Sequence, residues 1–181
     1  MKHLKIFIEL TRLNKPIGFM LLFWPCSWGL TYAKSFSQNN SIYFYYLILF
    51  FFGSLLMRSA GCIFNDIVDK DFDRFVSRTK NRPLASDKLS SIEAFIFATV
   101  LIFIAFLLVL TTNTLSVQLS FVAVILAGVY PFLKRYTYLP QIFLGLAFGW
   151  SIPMTFAATT NSIPEIAWLL LIANILWTVV Y

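Results

Sequence analysis

The sequence predicts an all-helical, polytopic transmembrane bundle of about six spans, the last incomplete. Three observations predict it. The 181-residue chain is 59% apolar and only 12% charged, whereas soluble domains carry about 25% charged residues. Several apolar runs approach the ~20 residues that cross a bilayer as helix. The Lys and Arg behind the net charge of +6 gather in a few loops, a pattern that reports membrane orientation rather than a nucleic-acid surface. The expected organisation is one membrane domain over residues 1–181, surrounded by lipid, with no nucleic-acid partner.

Residues 1–15 mix Lys2, Lys5, Arg12 and Lys15 with Glu9. They read as an amphipathic interfacial segment with Leu4, Phe7, Ile8 and Leu10 toward lipid. The apolar run that follows lacks a small-residue cleavage signal, so it reads as a retained span. Span one runs from about Pro16 to Tyr32. Proline suits a helix's first turn, where its missing N–H costs nothing, and Pro25 should kink the interior. Lys34 to Ser41 reads as a polar turn.

Span two runs from about Ile42 to Phe64 and contains a charge, Arg58. It ends in Asn65-Asp66-Ile67-Val68-Asp69-Lys70-Asp71-Phe72-Asp73. Carboxylates at the mouth of a span are costly and ask for a function. Read as helix, Asn65, Asp66, Asp69 and Asp73 share one broad face. Asp71 falls about 200° from Asp69, at about 100° per residue, and is left out. Like charges so close repel, and a divalent cation removes the objection. Mg²⁺ takes hard oxygen ligands and usually binds one or two carboxylates plus substrate phosphates. The face therefore reads as a Mg²⁺–diphosphate site, with Asp66, Asp69 and Asp73 as metal ligands and Asn65 as a neutral ligand or orienting group. A solvated acidic helix end is the plainer reading. Arg58 faces the same side about two turns deeper. It either snorkels or pairs with a motif carboxylate as a counter-ion, or it binds a substrate carboxylate, which suits its planar fork.

The longest polar loop, residues 70–90, carries Arg74, Arg78, Lys80, Arg82 and Lys88. Arg82-Pro83 should end any helix continuing from the motif. Cations beside an acidic metal site can hold the rest of a diphosphate, and a positive-inside anchor explains the same charges. Span three runs from about Ile92 to Leu110, and Thr111–Thr114 turns the chain into span four, about Leu115 to Phe132. Lys134-Arg135-Tyr136 forms a short basic loop. Span five, about Gln141 to Ala158, holds Gly145, Gly149 and Pro153 for close approach and a kink. Span six starts near Ile166 and is still apolar at Tyr181. The basic tail and the two basic loops should be cytoplasmic. Cys26 and Cys62 lie in apolar runs and read as buried small hydrophobes. His3 reads as incidental.

The run Asn65-Asp66-x-x-Asp69-x-x-x-Asp73, followed by Arg78-Thr79-x-Asn81-Arg82-Pro83-Leu84, resembles the first aspartate-rich motif and following loop of the UbiA-type intramembrane prenyltransferases. The branch that prenylates 4-hydroxybenzoate on the ubiquinone pathway is the most similar. The supporting stretches are Asn14-Lys15-Pro16-Ile17-Gly18, Trp24-Pro25, Met57-Arg58-Ser59-Ala60-Gly61-Cys62, Tyr130-Pro131-Phe132-x-Lys134-Arg135-Tyr136-Thr137 and Phe148-Gly149-Trp150-Ser151-Ile152-Pro153-Met154. Family members are similar to a nine-helix bundle with a second aspartate motif, which would begin immediately after Tyr181. The chain thus looks like an N-terminal part of such a protein.

The resemblance implies a Mg²⁺-dependent enzyme that moves a polyprenyl group from its diphosphate to the ring carbon ortho to the hydroxyl of 4-hydroxybenzoate. Its implied place is the bacterial inner membrane or the equivalent mitochondrial inner membrane. Arg78, Lys80 and Arg82, then Lys134 and Arg135, are the expected diphosphate contacts, and Arg58 the expected benzoate contact. Available Phe, Tyr and Trp rings can stabilise an allylic cation. Competing readings are another aromatic acceptor, a non-catalytic fragment that needs a C-terminal half chain, and a small cation transporter. The last is disfavoured because transporters place ionisable sites near the midplane.

Overall fold

A computed structural model describes residues 2–37 and 40–180, except for the side chains of 2–4, 37, 40, 134 and 135. Leu4 and His3 thus lie outside the described side chains, as do Lys134 and Arg135. Among the described residues every regular element is helical. In order they are α1 (Lys2–Thr11), α2 (Ile17–Ser37), α3 (Asn40–Val68), α4 (Lys70–Asp73), α5 (Ser91–Val109), α6 (Thr114–Tyr136), α7 (Pro140–Gly149), α8 (Ser151–Thr160) and α9 (Glu165–Val180).

The predicted spans appear as α2, α3, α5, α6, the α7–α8 pair and α9. Four stretches are long and apolar enough to cross a membrane: Ser41–Val68, Ser91–Val109, Thr114–Leu133 and Pro140–Thr160. The chain is a multi-pass membrane protein. α2 is long but carries Trp24, Pro25, Trp28 and Lys34, and α9 is shorter at 16 residues.

Local sequence sets the helix ends. Ser90 caps α5 in a capping box, its hydroxyl accepting from the Glu93 N–H while the Glu93 carboxylate accepts from the Ser90 N–H, so two orphan donors are satisfied. The Asn113 side-chain Oδ1 caps α6 by accepting from the Ser116 N–H. Span five divides at Trp150 for a reason visible in the chain: Pro153 lacks an N–H, and its ring crowds the carbonyl of Gly149. The Trp150 indole donates to the Leu119 carbonyl of α6 at 3.0 Å, tying the break to its neighbour.

Three expectations change. The Lys34–Ser41 turn is largely absorbed into α2 and α3, and the Lys34 ammonium sits over the Tyr43 ring at 4.9 Å. The 134–136 loop is the last turn of α6. Leu10 does not face lipid. It is fully buried with Ile63, Leu84, Leu89, Ala94 and Ala98, so α1 lies against the end of α3 and the start of α5. Phe7 packs on Phe97, ring centroids 4.6 Å apart.

α3 is the central rod, flanked by α2 and α5; α2 packs on α8, and α7 on α9. Small residues make the close crossings, as expected of membrane helices. A Cβ on Gly145 would stand 2.9 Å from the Ile175 Cα, and one on Gly149 2.7 Å from the Asn174 amide nitrogen. The buried Asn174 amide donates to the Gly145 carbonyl at 3.1 Å, adding an interhelical hydrogen bond.

Candidate active site

The last turns of α3 carry the acidic motif. Helical bonds continue past the end of α3, from the Asp69 N–H to the Asn65 carbonyl and from the Asp73 N–H to the Asp69 carbonyl, each 2.9 Å. The predicted shared face therefore forms, and it divides in two. On one side the Asn65 amide donates to the Asp69 carboxylate at 3.0 Å. On the other, Asp66 and Asp73 turn toward Arg82. Its Nη1 donates to Asp66 Oδ1 at 3.1 Å and to Asp73 Oδ2 at 2.7 Å. Both carboxylates are buried, 2% and 9% exposed.

A second cation reaches Asp66 from the opposite end of the chain. The Arg12 guanidinium donates to the same Oδ1. Arg12 has φ 56°, in the left-handed region. That backbone is costly for a residue with a Cβ. It turns the chain out of α1 at the point where the side chain meets Asp66.

The 70–90 loop holds Arg82 in place. Leu84 plugs the α1–α3–α5 core, the Thr79 hydroxyl donates to the Asp73 carbonyl at 3.0 Å, and the Ser86 hydroxyl donates to the Arg82 carbonyl at 2.8 Å. At the surface Asp87 accepts from Lys70 at 3.0 Å and from Arg74 at 2.7 Å. The Lys70 hydrogen bond, with the Arg74 charge beside it, holds the Asp87 carboxyl below the usual carboxylate range. Of the predicted loop cations, Arg82 turns inward, whereas Arg78 and Lys80 lie exposed.

Arg58 is half-buried and, among the described residues, forms no ion pair with a motif carboxylate. Its guanidinium lies 5.6 Å from the centre of the Phe148 ring, and its buried Nε has no hydrogen-bond partner. Gly18 of α2 leaves room for it: a Cβ there would stand 3.1 Å from that Nε. Arg58 lies between two hollows. One, of about 480 Å³, is formed by residues 11–19 with Ser59 and Cys62.

The other is an apolar cavity of about 870 Å³. On α3 its wall is a stripe at three- and four-residue spacing: Leu49, Phe50, Gly53, Ser54, Met57, Arg58, Gly61, Cys62 and Asn65. At 1.5 Å per residue the stripe is about 24 Å long. Its polar end carries Arg12, Arg58, Asn65 and Tyr130, while Phe103, Phe106, Phe121 and Trp150 line the rest with aromatic faces. The Tyr130 hydroxyl lies within the fields of Arg58 and Asp69.

Asp66, Asp69 and Asp73 do not gather into one ligand set: among the described residues no three carboxylate, thiol or imidazole groups converge as metal ligands. Asp69 turns to Asn65 instead. The donor set nevertheless fits a hard cation. Two buried carboxylates already share a single cationic nitrogen, and Mg²⁺ needs only one or two carboxylates when phosphates complete its shell.

The profile of the UbiA prenyltransferase family matches residues 22–181. The chain belongs to that family. It is 50% identical over 175 residues to the 4-hydroxybenzoate octaprenyltransferase of Psychromonas ingrahamii, covering 97% of this chain and 60% of that protein. Among solved structures, the apo UbiA homolog of Aeropyrum pernix superposes with a TM-score of 0.74 at 27% identity, over 89% of this chain and 59% of that one. A UbiA homolog from Archaeoglobus fulgidus bound to GPP and Mg²⁺ shares the fold, with a TM-score of 0.74 at 15% identity, over 95% of this chain and 60% of that one. This UbiA chain spans about three-fifths of the length of the curated relatives it matches.

Sequence reasoning missed Arg12 in this UbiA site. Its only signal was position, three residues before Lys15-Pro16 in a stretch noted for other reasons. Tyr130 was noted within a motif but given no role.

Proposed function

We propose that this chain carries the diphosphate- and acceptor-binding part of a 4-hydroxybenzoate polyprenyltransferase. The observation that carries the reading is the convergence of Asp66 and Asp73 on one cationic nitrogen, beside a long aromatic-lined cavity. The half-identity to 4-hydroxybenzoate octaprenyltransferases over nearly the whole chain supports the choice of acceptor.

In this reading Asp66 and Asp73 hold Mg²⁺, and Asp69, oriented by Asn65, is the further ligand beside them. The bound metal neutralises charge developing on the leaving diphosphate. Arg82 and Arg12, released from the carboxylates, hold diphosphate oxygens, with Arg78, Lys80, Lys134 and Arg135 as outer contacts. Arg58 binds the benzoate carboxylate through its unused Nε face, which places the phenol ring at the polar end of the cavity. The prenyl tail lies along the α3 stripe, where aromatic walls exclude water and face the allylic cation. The C–O bond breaks with its electron pair leaving on diphosphate, the ring carbon ortho to the hydroxyl attacks, and the ring proton departs. The chain is one membrane domain with α1 at its interface. In this reading it sits in a bacterial inner membrane or its mitochondrial equivalent, with the acidic motif on the cytoplasmic side, a sidedness that its basic loops support.

The test is prenyl transfer by the purified chain in liposomes with Mg²⁺, 4-hydroxybenzoate and a polyprenyl diphosphate, alongside diphosphate binding. Transfer that disappears in Asp66→Ala supports the reading. Diphosphate binding without transfer supports the binding half and a need for a C-terminal half chain. The absence of both binding and transfer overturns the proposal.

A further inference from the structure

Glycine is among the least favourable residues inside a helix, so a glycine in mid-helix calls for a reason. In Gly29, Gly145 and Gly149 the reason is close approach: a Cβ on Gly29 would meet the Thr155 hydroxyl, and those on the other two would meet α9. Gly53 and Gly61 of α3 have no such reason, nor does Gly128 of α6, which lies off the cavity wall. Beyond their own helix and chain neighbours, no heavy atom lies within 4 Å of where their Cβ would stand. Gly53 and Gly61 both line the 870 Å³ cavity, and neither is buried by protein. What a side chain there would occupy is the cavity itself.

The two positions stand at different depths. Gly61 is one helical turn from Asn65, at the polar end. Gly53 is about 18 Å from Asn65 along α3, at 1.5 Å per residue. From this we infer that Gly53 and Gly61 are specificity-determining residues for the isoprenoid donor: Gly61 keeps the path open for its first unit, and Gly53 for the units far from the diphosphate. The inference rests on the prenyl-diphosphate reading above and adds to it which residues decide how long a tail is accepted.

The test measures binding of inorganic diphosphate, dimethylallyl diphosphate, geranylgeranyl diphosphate and octaprenyl diphosphate to the detergent-solubilised chain and to Ala, Val and Leu variants at each glycine. At Gly53 we expect affinity for the two long donors to fall with side-chain size, by about tenfold or more for Gly53→Leu, the scale of overfilling a packed site. Dimethylallyl and inorganic diphosphate should bind Gly53→Leu as they bind the wild type. Gly61→Leu should weaken every prenyl donor and spare inorganic diphosphate. Long donors that bind Gly53→Leu normally overturn the inference and leave the prenyl reading standing. So does a parallel fall in inorganic diphosphate binding across the series, which would mark a structural effect. A wild-type chain that binds prenyl and inorganic diphosphate equally well overturns both.

Discussion

Asp66 and Asp73, seven residues apart, accept hydrogen bonds from the same Nη1 of Arg82, at 3.1 and 2.7 Å. Two turns of helix bring them to one side, and one guanidinium occupies the point they share. Removing that guanidinium leaves two buried carboxylates with, among the described residues, one remaining ion pair, that of Arg12 with Asp66. Breaking a buried pair from one side costs 3–5 kcal/mol, and Arg12 and partial exposure of Arg82 hold the expected loss for Arg82→Ala to about 3 kcal/mol. Added Mg²⁺ should raise the melting temperature of Arg82→Ala more than that of wild type, because the ion can take the vacated position. Equal shifts would show that the carboxylates do not form a cation site.

Arg58 makes a different prediction. Its Nε is buried and unpartnered, so Arg58→Ala should leave the melting temperature unchanged or raise it. Affinity for 4-hydroxybenzoate should fall by roughly ten- to a hundredfold, the worth of a hydrogen bond to a charged group. Diphosphate affinity should not change. Calorimetric titration of the two ligands separates the effects, and an unaltered acceptor affinity would take Arg58 out of the site.

The surface clamp on the 70–90 loop should open in acid. Asp87 is held below the usual carboxylate range by Lys70 and then Arg74. A carboxyl lowered by folding contributes its stability above its unfolded pKa, about 3.9, and loses it as pH falls through the lower folded value. Protease cleavage in 70–90 should therefore be constant from neutral pH to about pH 4 and rise below it. Asp87→Asn should remove that dependence and cleave faster at neutral pH. Cleavage that rises instead between pH 7 and 5 would assign the transition to another group.

The α7–α9 crossing is set by backbone proximity. A Cβ at Gly145 meets the Ile175 Cα, which cannot swing aside, whereas one at Gly149 meets the ends of the Asn174 and Leu171 side chains. Gly145→Ala should cost about 1–3 kcal/mol, as overpacking does, and more than Gly149→Ala. Thermal melts of both variants in one detergent give the order directly.

The helices and the acidic face were legible because both follow from local spacing. Apolar runs separated by polar turns mark the rods, and the positions of Pro153 and Gly149 mark the break in span five. The i+4 and i+7 steps that bring Asn65 to Asp69 and Asp66 to Asp73 are equally local. Which cation folds inward was not. Arg78, Lys80 and Arg82 are alike in sequence, and Arg82 differs because Leu84, two residues on, is buried and pulls its segment against the core. Arg12 was still less legible: its partner is 54 positions away and its orientation depends on a left-handed residue that no local preference calls for. The missing three-carboxylate cluster has the same origin, since neighbours in sequence compete for tertiary partners that spacing does not reveal.

The two arginines on Asp66 also differ in birth order. Chains emerge from the ribosome N-terminus first and begin to fold as they do. When Asp66 is made, Arg12 already exists, while Arg82 is still 16 residues from being synthesised. Of these two counter-charges, the earlier available is thus the one just past the end of α1. Asp66 therefore has a counter-charge to pair with before Arg82 is made, and Arg82 completes the set.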